Sequence, residues 1–96
     1  MKIHRVKCYD RFFRLTESGK KLFEIRRNDR DYQVGDLLEL NETTDAEHTG
    51  RAALFRITFV LTCENFSEGI KDGYAVLGIE PVTGVYEDYG KGQTND

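Results

Sequence analysis

Hydrophobic positions along this chain recur mostly at every second residue, the period of half-buried strands. From Ile3 to Tyr9, His4, Val6 and Cys8 share one face and Arg5 and Lys7 the other, so a short strand is predicted with its basic side toward solvent or a ligand. Asp10 is placed as an N-cap. Phe12 and Leu15 fall on one helical face with Phe13 beside them, and Gly19 supplies the stop, giving a helix of about two turns. A second strand is expected from Lys20 to Arg27, with Phe23 and Ile25 inward and Leu22, Glu24 and Arg26 outward.

Residues 28–36 carry turn formers at both ends and read as an ordered loop before a third strand, Leu37–Leu40. The polar stretch Asn41–Gly50 reads as a surface loop. Arg51–Cys63 gives the strongest strand signal: Ala53, Phe55, Ile57, Phe59, Leu61 and Cys63 alternate with Arg56, Thr58 and Thr62. After a loop at 64–73, Tyr74–Val82 forms a last strand with Ala75, Leu77 and Ile79 inward. Residues 1–83 thus make one domain, and Gly84–Asp96 a polar tail. About five strands and one early helix, mostly joined by connections too short for parallel crossovers, predict an α+β, mainly β fold whose antiparallel sheet closes into a small barrel.

Length limits this picture to one core, since a chain of 96 residues buries only roughly 60 to 70% of its unfolded surface. No apolar run approaches the ~20 residues of a membrane-spanning helix, and Met1–Arg5 has no signal-peptide stretch, so a cytoplasmic protein without a membrane partner is expected. Cys8 and Cys63 are too few for a disulfide framework and read as buried thiols. No Cys/His or carboxylate cluster has metal-ligand spacing and no phosphate-binding glycine loop occurs, so neither metal nor cofactor is expected.

Charge changes the picture more. The net charge is −3, but residues 1–30 carry +6 and residues 31–96 carry −9. A basic amino-terminal third forming one surface would attract a polyanion or phosphorylated ligand in a salt-dependent way. The alternative is that the two parts pair across the fold.

The candidate chemistry lies in Gly19-Lys20-Lys21-Leu22-Phe23-Glu24-Ile25-Arg26. Glu24 and Arg26, two apart on a strand, emerge on one face about 7 Å apart, close enough for a third group to bridge them. Lys21 has the wrong parity on a regular strand, so it joins them only if the turn after Gly19 swings it toward Glu24. Tyr9 and Tyr32 adjoin the basic segment and are placed to stack on a base. Phe12, Phe13, Phe23, Phe55 and Phe59 sit at core spacing and are assigned to packing. Arg26 is read as facing a cleft, Arg30 as structural, Arg27 as a further ligand contact, and His4 as a structural histidine capped by a backbone carbonyl.

Gly19, Lys21, Glu24 and Arg26 match the G-x-K-x-x-E-x-R motif of the ASCH domain, a branch of the PUA-like superfamily. With Asn28-Asp29-Arg30-Asp31, Val34-Gly35-Asp36 and Thr49-Gly50-Arg51, residues 3–80 resemble a small ASCH-related family of bacteria and their phages. The resemblance implies a PUA-like pseudobarrel binding RNA or a nucleotide in a cleft, with Lys21, Glu24, Arg26, Arg27 and Tyr9 as ligand-binding residues. Some small ASCH proteins look like amidohydrolases of acetylated cytidine. That alternative would make Lys21 and Glu24 catalytic, but position 24 is glutamate where those enzymes have threonine, and the 64–73 connection is short for the insertion carrying their third residue. Binding is therefore preferred to catalysis. A third alternative is a phage or host regulatory module with an unidentified protein partner.

Overall fold

The computed structural model describes residues 1–87. The elements run β1 (Ile3–Tyr9), α1 (Asp10–Glu17), β2 (Phe23–Arg27), β3 (Leu37–Thr43), β4 (His48–Thr62), β5 (Tyr74–Pro81) and β6 (Tyr86–Glu87). They form one curled sheet in the order β1-β3-β4-β5-β2, with β6 paired to β4, a half-barrel of the small α+β pseudobarrel type expected. One pairing is parallel: β1 lies beside β3 because α1, β2 and the 28–36 loop intervene and supply a long connection. The other pairings are antiparallel. No helix among the described residues is long and apolar enough to cross a membrane.

The core lies inside the curl, where Val6, Leu38, Leu40, Phe55, Ile57, Ala75 and Leu77 meet Phe13 from α1. His4 and Cys8 share the buried face with Val6, as the alternation requires. Helix α1 rests on β1 and β3 through Phe13 and Thr16. Phe12 and Leu15, expected to face the core, point to one side at 40% and 42% exposure. Two pairs at three-residue spacing, Phe12 with Leu15 and Phe13 with Thr16, compete for the inward stripe of this short helix, and only one can take it. Tyr9 holds the N-cap position without a side-chain cap, and Asp10 lies in the first turn instead. Gly19 ends the helix at φ +82°, a conformation in which a side chain would be strained.

Strand β2 presents the opposite face from the one expected. Its register sets Glu24 against Leu77 and Arg26 against Ala75, both fully buried, so the charged residues point inward. Phe23 and Ile25 consequently stand outside at 45% and 63% exposure. A second departure arises in β4, where a bulge between Ile57 and Phe59 reverses the alternation. Beyond it Val60 packs on the core, while Phe59 lies 59% exposed.

The polar residues Asn41–Thr43 belong to β3 and are buried, leaving a tight hairpin where a ten-residue loop was expected. Each finds a partner: Asn41 donates to Glu39, Glu42 accepts from Thr49 and Arg51, and Thr43 donates to the carbonyl of Glu47. The carboxyl-terminal boundary also shifts. Val85 packs against the core, β6 pairs with β4, and Tyr86 donates to the buried Glu39, so the domain extends past residue 83. The rest of the expected tail, 88–96, lies outside the described residues.

Candidate functional site

The site lies where the curled sheet fails to close. Strands β1 and β2 are its two ends, and each has one row of backbone groups without a neighbouring strand. Ile79 donates to the carbonyl of Leu22, and Asn28 to that of Gly73, so the even-numbered residues of β2 turn toward β5 and the odd-numbered ones away. On β1 the bond from Leu37 to the Lys2 carbonyl assigns the even residues to β3. Three of the outward carbonyls are met by cations. Lys21 donates to Phe23 at 2.8 Å, Arg30 to Arg5 at 2.9 Å, and Arg26 to Lys7. Side chains thus bridge a seam that no backbone ladder spans.

Between these edges opens a cleft of about 700 Å³, lined by Lys7, Cys8 and Tyr9 of β1, Phe12 and Leu15 of α1, Lys21, and Phe23–Arg26. Glu24 lies in its floor at 5% exposure, with both oxygens occupied: Oε2 accepts from Lys21 Nζ at 2.8 Å and Oε1 from Arg26 Nε at 3.2 Å. The turn after Gly19 does swing Lys21 onto Glu24, since β2 begins only at Phe23 and the preceding residues are free of strand parity. A carboxylate removed from water needs such partners. The two cations are less deeply sunk, their side chains 18% and 13% exposed.

The walls are apolar. Lys21 Nζ lies 4.9 Å from the Phe23 ring centre and 5.6 Å from that of Phe12, while the Arg11 guanidinium covers Phe12 at 4.7 Å and Tyr9 at 5.3 Å. Aromatic faces and fixed positive charge therefore alternate around the opening. Cys8 completes the floor as an inert thiol, pushed up to about 12 by burial and then by the nearby charge of Glu24.

Of the residues expected in the site, Tyr9, Lys21, Glu24 and Arg26 are brought together. Arg27 is not: it lies on the outer face of the sheet, its guanidinium 5.8 Å from the Tyr74 ring. Tyr32 is 4% exposed and unavailable for stacking on a ligand; its ring packs against His4 at 4.7 Å, and burial pushes its phenol up. His4 is structural as expected but bonds a carboxylate rather than a carbonyl, donating through Nε2 to Asp36 at 2.8 Å. Glu64 and Glu68, the carboxylates of the 64–73 connection that could replace the third residue of the amidohydrolase alternative, do not line the cleft. Phe12, Leu15, Phe23 and Ile25 were missed as wall residues. Their signal was an excess: helix and strand both carry apolar residues on more faces than one core can cover.

Comparison with known proteins places this geometry among uncharacterised relatives. The chain is 40% identical over 83 residues to the "Uncharacterized 12.9 kDa protein in GpA 3'region" of Escherichia phage P2, covering 85% of this chain and 76% of that protein. Its fold is similar to that in the crystal structure of hypothetical protein PH0355, with a TM-score of 0.55 and 17% identity over 85% of this chain and all of the other. The family described as "Domain of unknown function (DUF3850)" matches residues 3–79, which span every element from β1 to nearly the end of β5, and the chain belongs to that family.

Proposed function

We propose that the chain binds single-stranded RNA or a nucleotide in the seam cleft. The observation that carries this reading is the pairing of aromatic walls with cations held over a buried carboxylate in a cavity of about 700 Å³, within the range of roughly 300–1,000 Å³ typical of ligand sites. A base enters against Tyr9, Phe12 or Phe23, whose faces accept any base. Lys21 has committed two of its three N–H donors, to Phe23 and Glu24, and meets phosphate with the third. Arg11 adds charge at the rim. The finer assignment to the ASCH branch of PUA-like domains belongs to this proposal and is supported by the position of Lys21, Glu24 and Arg26 in the cleft. Binding is favoured over amidohydrolysis because Glu24, which would move a proton in that reaction, has both oxygens engaged by cations.

The test is a titration of a labelled RNA pool and of ribonucleoside monophosphates at low and high salt. Binding should weaken with salt, by a log–log slope of about −0.7 per phosphate contact on a single strand. Lys21→Ala and the exposed rim variant Arg11→Ala should each weaken it roughly tenfold. Absence of binding at low salt overturns the proposal.

A further inference from the structure

The outer face of β2, β5 and β4 is an uncovered apolar surface. Their register aligns Ile25, Val76 and Leu61 in one row and Phe23, Gly78 and Phe59 in the next. Phe23, Ile25 and Phe59 are 45%, 63% and 59% exposed, an unusual concentration of large apolar side chains on one small sheet. The bulge in β4 creates this surface, because it turns Phe59 outward.

Within the second row, Gly78 separates two exposed phenyl side chains and leaves the position between them without a side chain of its own. A Cβ there would meet Thr58 Oγ1 at 3.0 Å, so the threonine hydroxyl leans over the glycine between the two rings. A flat ring with polar edges suits such a place: two aromatic side chains offer stacking faces, and the threonine offers a hydrogen-bond donor or acceptor to an edge. Arg27 stands beyond one end of the apolar rows, and beyond the other Arg56 lies opposite Glu80, which it contacts at 3.9 Å. The surface is also continuous with the cleft, since Phe23 and Ile25 belong to both.

We infer that the Phe23–Gly78–Phe59 row is a second base-stacking position, through which the protein holds a single strand of RNA longer than one nucleotide. This rests on the cleft being an RNA or nucleotide site, and it makes an oligonucleotide the ligand. The first nucleotide occupies the seam and the next crosses Phe23 onto the sheet.

The experiment compares the affinity of a mixed-sequence RNA of about eight nucleotides with that of ribonucleoside monophosphates, for the wild-type chain, Phe59→Ala and Phe59→Tyr. Phe59→Ala should weaken the oligonucleotide roughly tenfold and leave the mononucleotides unchanged, while Phe59→Tyr retains wild-type affinity. Phe59 is mostly exposed, so the fold should persist, which circular dichroism checks. Unchanged oligonucleotide affinity in Phe59→Ala overturns the second position and leaves the cleft reading standing. Wild-type protein that binds neither ligand at low salt overturns both. A concentration-dependent dimer abolished by Phe59→Ala, with RNA affinity unaltered, overturns the inference by giving the face to a second copy.

Discussion

Two carboxylates lie equally deep in this small domain, and their surroundings set them to different work. Asp36 is 4% exposed and accepts from His4 Nε2 at 2.8 Å and from the backbone N–H groups of Lys2 and Gln33, both at 3.1 Å. All of these donors belong to the frame, and Tyr32 packs on the histidine ring. Glu24 is 5% exposed and accepts from two long cationic side chains that border an open cleft. Around Asp36 every donor ends on the carboxylate. Around Glu24 the donors also serve edge carbonyls and reach toward a cavity. Burial alone therefore does not separate the two carboxylates; the direction in which their partners still face does.

This contrast can be broken by measurement. The largest expected effect is on Asp36→Ala, which strips three hydrogen bonds from a sealed network and should cost about 3 kcal/mol, a large share of the roughly 5–15 kcal/mol that stabilises a domain. Glu24→Gln keeps the shape and loses the charge; it should cost about 1–2 kcal/mol, because its partners can turn toward water. Urea denaturation of both variants checks the order, and a greater loss for Glu24→Gln would remove the distinction.

The smallest effect is in the acid limb. Burial pushes the Asp36 carboxyl up, but the bonds from His4, Lys2 and Gln33 outweigh it and hold the group below its ordinary value of 3.8. A carboxylate depressed in the folded state stabilises the fold above its unfolded value and loses that contribution as pH falls through the lower, folded one. The wild-type chain should thus lose stability below about pH 4, and Asp36→Asn should show a flatter curve there. Unfolding midpoints between pH 2 and 5 would show whether it does.

Much of the framework was legible in the residues. The alternation His4, Val6, Cys8 and the run Ala75, Leu77, Ile79 mark inward faces because a strand half covered by core cannot hide its period. The face of β2 was not legible, since Phe23 and Ile25 alternate with Glu24 and Arg26 and hydrophobicity favours the wrong pair. Only the pairing with Leu77 and Ala75, far along the chain, decides it. The bulge at Thr58 leaves no local mark, so Phe59 passed for a core residue. Asn41–Thr43 read as loop because their buried partners, Glu39, Arg51 and the Glu47 carbonyl, become neighbours only after folding. In the site, the spacing of Lys21, Glu24 and Arg26 was sufficient once Gly19 had freed Lys21 from the strand.

The cationic bridges across the seam have a consequence for how this protein behaves at high concentration. A β-strand edge with unsatisfied carbonyls is a template on which other chains can add, the first step toward cross-β aggregates. Here Lys21, Arg26 and Arg30 cover such carbonyls on both terminal strands with positive charge, so an approaching strand meets occupied acceptors and electrostatic repulsion.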